Sequence, residues 1–230
     1  MPTLMRGHIS LLQIYNMLNG HFGNLQWWPG ESPFEVIVGA ILTQNTTWRN
    51  VETAIANLKS KNLLDPKRLF KTRDDILASL IRPSGYYRVK TKRLKAFLTF
   101  LNDGYQDSLD RLFAEELWIL REKLLTVRGI GEETADSILL YAGQKPIFVV
   151  DAYTRRILQR HDFISSETPY ADIQNLFMTN LPPSVPLFNQ YHALLVNTGK
   201  QFCTKKYSRC TECPLSTIVD HAPLSALHKP

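Results

Sequence analysis

Two short stretches of this 230-residue chain carry residue types at spacings that chemistry can use. The first is Leu124-Leu125-Thr126-Val127-Arg128-Gly129-Ile130-Gly131-Glu132-Glu133-Thr134-Ala135, and the second is Val149-Val150-Asp151-Ala152-Tyr153, whose carboxylate lies eighteen residues after Glu133. Gly129 and Gly131 let the backbone turn tightly and approach a neighbour with no Cβ in the way. The helix that follows opens with backbone N–H groups lacking a partner inside the helix, and such groups attract anions. The pattern therefore offers a phosphate site made by Arg128, Gly129, Ile130 and Gly131; an ordinary turn between two helices is the alternative. Asp151 supplies a carboxylate. It stands where a helix over 152–160 needs its N-cap, accepting a backbone N–H two or three residues on, and on residue type alone capping is the simpler role.

These residues need elements to position them. Leu117, Leu120 and Leu124 recur at helical spacing before the turn, and Ala135, Ile138, Leu139 and Ala142 do so after it. Two amphipathic helices thus flank an exposed hairpin. Elsewhere strand-like alternation is nearly absent, and the segments between Pro and Gly clusters read as helices, so the fold class is all-α. Breaks are expected at 20–33, 44–47, 62–66, 82–85, 102–107, 143–146, 165–169 and 181–186. Leu11, Leu12, Ile14 and Leu18 predict an N-terminal amphipathic helix ending at Asn19-Gly20. Ile37, Ile41, Gln44, Trp48 and Val51 would continue one helical stripe and bury Trp48, but Gln-Asn-Thr-Thr at 44–47 is a poor helix interior and a good stop followed by an N-cap.

The hairpin, its flanking helices and the downstream aspartate resemble the helix-hairpin-helix DNA glycosylases, the superfamily of endonuclease III, the adenine-mismatch glycosylase and the alkylbase glycosylases. The resemblance runs from Trp27 to Leu215. It implies two helical domains, a six-helix barrel with the helix-hairpin-helix at 25–145 and a second domain from 1–24 and 146–230, with a DNA-binding cleft between them. It makes Asp151 the catalytic carboxylate, a fixed charge facing the positive charge that builds on the deoxyribose as the bond to the base breaks. Glu133 stands where lyase-competent members have a lysine whose amine forms a Schiff base with the sugar, which implies a monofunctional enzyme that leaves an abasic site.

Within the superfamily, Trp27-Trp28-Pro29-Gly30, Ile41 to Thr46, Arg82 to Tyr87 and Val127 to Leu139 resemble the 3-methyladenine DNA glycosylase III branch. The adenine-mismatch branch has a catalytic glutamate where this chain has Gly39. The resemblance places Trp27, Trp28, Trp48 and Tyr86 at the base pocket, where a cationic alkylated base over a tryptophan face gains about 0.5–2 kcal/mol. Gln44 is expected to fill the stack vacated by the flipped base. A uracil or mismatched-thymine glycosylase is the alternative enzyme, and a non-catalytic helix-hairpin-helix DNA-binding module the alternative outside enzymes.

A net charge of +6 and a pI near 9.2 favour a polyanionic partner, and the resemblance makes that partner damaged double-stranded DNA bound by a monomer. Arg88, Lys90, Lys92, Arg93 and Lys95 form a basic run beside Tyr86 and Tyr87, with Arg155 and Arg156 further on. Lys90 and Arg155 are expected to join the hairpin in phosphate contact, a solvated face being the alternative. No apolar run nears the roughly 18 residues that span a bilayer, and a cytoplasmic protein is expected. Cys203-x6-Cys210-x2-Cys213 matches three ligands of the family's 4Fe-4S cluster, but Val219 stands at the fourth position. Asp220 or His221 as a substitute ligand, zinc on the three cysteines with His221, and no metal at all stay open. The odd count argues against disulfides, and the hydrolytic chemistry needs no cofactor.

Overall fold

The computed structural model describes residues 9–25, 27 and 30–221, the last three by their backbone. Among these residues there are twelve α-helices and no strand, apart from an isolated antiparallel bridge between Cys203 and Ser208. In chain order the helices are α1 (Leu11–Phe22), α2 (Pro33–Leu42), α3 (Trp48–Ser60), α4 (Pro66–Lys71), α5 (Asp74–Leu80), α6 (Tyr87–Tyr105), α7 (Leu109–Ala114), α8 (Leu117–Leu125), α9 (Glu132–Ser137), α10 (Ala152–Arg160), α11 (Tyr170–Asn180) and α12 (Val185–Gln201). The chain divides into two compact units, Trp28–Lys145 and Met1–Trp27 with Pro146–Pro230. No helix among the described residues is long and apolar enough to cross a membrane.

The unit Trp28–Lys145 is built around α2. Ser32 caps this helix by accepting the Glu35 N–H, Pro33 opens it, and every residue from Phe34 to Leu42 is buried, as a helix that is hydrophobic all round requires. The helix stops where Gln-Asn-Thr-Thr predicts, Asn45 takes a left-handed conformation (φ 54°), and α3 restarts at Trp48. The long helix α6 then ties down the ends of its neighbours. Lys90 Nζ donates to Leu42 O at the end of α2 (2.8 Å) and to Ser84 O (2.6 Å), while Lys95 Nζ donates to Phe70 O (2.6 Å) and Thr72 O at the end of α4. Terminal helix carbonyls lack intrahelical donors, and these two amines supply them.

Helices α8 and α9 form the stalk of the hairpin. Arg121 on α8 grips Asp136 on α9 with two hydrogen bonds, Nε to Oδ1 at 2.7 Å and Nη2 to Oδ2 at 3.2 Å, and the pair is buried. Such a two-pronged pair fixes the angle between helices as well as their spacing. Beyond Ser137 the helix widens to a π turn over Ile138–Ala142, with Gly143 N–H donating to Ile138 O (2.9 Å). The spacing of Ala135, Ile138, Leu139 and Ala142 predicted one apolar stripe; the structure buries Leu140 and Tyr141 as well, because the segment packs on α2.

In the other unit, α1 carries a capping box between Ser10 and Gln13 and ends at Gly23 (φ 69°), three residues beyond the expected Gly20. Gly20 is tolerated within the helix, and the left-handed turn that ends it falls at Gly23. The core gathers Phe148, Phe177, Phe188 and Tyr191. The rings of Phe148 and Phe177 stack at 3.7 Å, and Tyr191 donates its hydroxyl to Leu11 O (2.8 Å). This core positions α10 and α12, which bear the polar groups described next.

Candidate DNA interface and active-site carboxylate

The hairpin in the unit Trp28–Lys145 turns through Val127 N–H to Leu124 O and Ile130 N–H to Val127 O, both 3.0 Å. Gly129 has φ +90°, a conformation that L side chains rarely adopt, and a Cβ there would collide with Cγ of Arg93. Ile130 is buried and anchors the tip, while Arg128 and Gly131 are exposed. The hairpin therefore presents backbone and one cation outward. Glu133, on the first turn of α9, is also exposed.

Gln44, expected to fill a vacated base stack, has its amide bonded to the hairpin in this structure. Its Nε2 donates to Gly129 O (3.1 Å) and Thr134 Oγ1 (2.9 Å), and its Oε1 accepts from Arg93 Nη1. The carbonyl of the tip, the start of α9 and the stem of Arg93 are thereby linked to the turn after α2. Asn45, next along the turn, is exposed. The expected pocket aromatics have separate fates. Trp28 lies outside the described residues. Trp27 is half-buried, with Lys200 Nζ 5.8 Å from its ring centre, and Trp48 is half-buried at the start of α3. Tyr86 is 71% exposed and left-handed (φ 45°), so the fold does not enclose it.

The basic run splits by function. Lys90 was expected to touch phosphate, but it is 1% exposed and bonded to two carbonyls, so that expectation is corrected. Burial, and then the charge of Arg93, push its pKa down to about 8. The aliphatic stem of a lysine buries easily, and the sequence gives no sign of which lysines of a run turn inward. Arg88 and Lys92 are exposed. Arg155 is half-buried and donates to Thr168 O (2.6 Å), which ties it to the loop before α11 rather than leaving it whole for DNA.

Asp151, in the other unit, is the N-cap of α10, and its Oδ1 accepts the Thr154 N–H at 2.7 Å. Its side chain is 11% exposed, and Oδ2 lies 3.6 Å from His192 Nε2. Burial raises the carboxyl pKa, but the charge and hydrogen bonding of His192, with the Thr154 N–H and side chain, outweigh it and hold the group below its ordinary value. The result is an ionised carboxylate in a confined setting. His192 lies 41 residues downstream in an otherwise apolar stretch of α12, and a lone histidine among leucines is the one mark it leaves in the sequence.

Cys203, Cys210 and Cys213 line one small cavity of about 20 Å³ with His161 and Arg160. Cys203 Sγ accepts from Arg160 Nη1 (3.2 Å), and no three His, Cys, Asp or Glu side chains among the described residues converge to hold a metal ion. The side chains of Asp220 and His221 lie outside the described residues. The residues described do not fit a 4Fe-4S cluster, which wants four protein ligands around it.

A helix-hairpin-helix in one unit and a capped, ionised aspartate in the other point to a DNA-handling hydrolase, and comparison with known proteins gives its family. Residues 38–183 match the HhH-GPD superfamily of base excision DNA repair proteins, and the chain belongs to it. It is a base excision repair DNA glycosylase whose partner is damaged double-stranded DNA. A Methanocaldococcus jannaschii protein with the provisional name DNA repair glycosylase MJ1434 is 44% identical over 206 residues, 89% of this chain and 93% of its own. Endonuclease III of Sulfolobus acidocaldarius is 29% identical over 181 residues, 78% of each chain. The crystal structure of H. pylori 3-methyladenine DNA glycosylase (MagIII) bound to 1,N6-ethenoadenine superposes with a TM-score of 0.74 at 28% identity, covering 84% of this chain and 98% of that one.

Proposed function

We propose that this glycosylase is monofunctional and hydrolyses the N-glycosidic bond of alkylated bases, 3-methyladenine foremost, after flipping the base from the duplex. The observation that carries the reading is the Asp151 carboxylate, held ionised at the cap of α10 between Thr154 and His192. As the bond from C1′ to the base breaks, its electron pair leaves with the base and positive charge gathers on the sugar. A fixed, partly desolvated anion stabilises that charge far more than water would. Water then adds at C1′ and loses a proton, leaving an abasic site. Glu133 has no nucleophilic nitrogen, so no Schiff base forms at that position.

The likeness to MagIII, a 3-methyladenine glycosylase by name, supports the substrate class. An alkylated base is already cationic and leaves without strong protonation, and Trp27, Trp28 and Trp48 are the proposed stacking partners. Flipping costs a few kcal/mol, less for a damaged pair. Gln44, held by the hairpin in this structure, is the proposed filler of the stack, with the exposed Asn45 next to it on the same turn. Arg128, Gly129, Ile130 and Gly131 grip a phosphate, with Arg88 and Lys92 as added exposed cations.

The test is to incubate the protein with methylated, uracil-containing and mismatched duplexes, measuring free base and strand breaks before and after alkali. Release of 3-methyladenine with breaks only after alkali is expected. Breaks without alkali, or trapping by borohydride, would overturn the monofunctional reading; release of uracil or thymine alone would overturn the substrate.

A further inference from the structure

We propose that His192 is a positioning residue for the Asp151 carboxylate, holding Oδ2 from α12 while α10 holds Oδ1. The inference rests on the reading of Asp151 given above and adds to it a second residue on another helix. His192 is 4% exposed, and its Nε2 lies 3.6 Å from Asp151 Oδ2. The Thr154 N–H sits at 2.7 Å from the other oxygen. A cap bond alone fixes one oxygen and leaves the plane of the carboxylate able to swing about it. An imidazole on the opposite oxygen removes that freedom.

The surroundings keep the two helices in one register. Gly199, two turns along α12 from His192, leaves room for the ring of Tyr153, and a Cβ there would collide with it. Arg156 spans the same contact, donating to Gly199 O (3.3 Å) and Cys203 O (2.7 Å). At the other side of His192, Tyr191 is pinned through Leu11 O and the stack of Phe148 and Phe177. The helix that carries His192 is thus fixed relative to the cap that carries Asp151, and rigid placement is what an orienting group needs. The other buried side chains of α12 between Ala193 and Val196 are aliphatic, so an imidazole here introduces a desolvated polar group where packing alone would favour another hydrocarbon. Displacements of about 1 Å in a reacting constellation lower rates by up to a hundredfold, which sets the scale of the effect.

The experiment measures single-turnover base release on the duplex the wild type processes best, the affinity for the same duplex carrying an abasic analogue, and the thermal midpoint. Asp151→Asn, His192→Leu, His192→Gln and His192→Asn are compared. Expected is a loss of about ten- to a hundredfold in rate for His192→Leu with affinity within twofold, recovered largely by His192→Gln, which keeps an N–H donor of similar reach. His192→Leu at the wild-type rate, or His192→Gln no better than His192→Leu, would overturn the inference. Should His192→Leu not fold, His192→Asn decides, since it keeps polarity but falls short of Asp151: a slow variant supports the role and a wild-type rate sinks it. An active Asp151→Asn would instead remove the reading of Asp151 itself, a result distinct from the failure of His192 alone.

Discussion

The Gly129 hairpin and the Asp151 cap both sit at the start of a helix, and they are made in opposite ways. The hairpin relies on a backbone conformation open to glycine and on exposed groups at its tip. The cap relies on a charge taken nearly out of water and then held by Thr154 and His192. A phosphate grip has to accept any sequence and let go, so exposure and backbone N–H groups suit it. A group that stabilises a transition state has to be in place beforehand, so burial and fixed partners suit it. The same division separates two cations of one unit: Arg128 is exposed at the tip, whereas Lys90 is buried and holds carbonyls.

The strongest way to break this comparison is Asp151→Asn. Asparagine caps a helix about as well as aspartate, so the thermal midpoint should move little while base release falls by about a hundredfold or more; equal losses of both would make Asp151 a structural cap only. Next comes Lys90. Its pKa in the fold lies near 8, below the ordinary 10.5, so between those values the unfolded chain binds the extra proton and stability rises with pH. The gain from pH 8 to 10.5 is about 3 kcal/mol at most, and denaturant titrations should find that rise in the wild type and lose it in Lys90→Met.

Gly129→Ala sharpens the other side. Forcing a side chain into φ +90° against Arg93 should cost about 1–3 kcal/mol of local strain and weaken DNA binding, with the unimolecular release step at saturating protein little changed. A fall confined to that step would contradict the division. The smallest effect belongs to Arg128→Ala: the slope of log affinity against log salt should drop by about 0.9, whereas Lys90→Met should leave it unaltered.

Much of this was legible before the structure. Leucines at helical spacing and two glycines define the hairpin, and an aspartate before a polar helix reads as a cap. What stayed hidden depends on where long side chains reach. Lys90 and Lys95 look like the rest of their basic run, yet their amines extend to helix-end carbonyls distant in sequence. Gln44 reads as a loop residue until its amide is found on Gly129 O and Thr134. The wide turn at Ile138–Ala142 keeps the apolar composition of an α-helix, so periodicity alone gives no hint of it. His192 meets Asp151 at the cap of another helix, and spacing arguments act within a single helix.

Lys90 also makes the protein its own reporter. An amine that loses its proton near pH 8 would be the most reactive toward acylating reagents among ordinary lysines at neutral pH, since the neutral form is the nucleophile, yet at 1% exposure it is shielded from them. Opening removes the burial that lowers the pKa along with the shield, so labelling of Lys90, read by peptide mass against the exposed Lys92, clocks how often the contact between α6 and the end of α2 opens, with no dye or tag added to the chain.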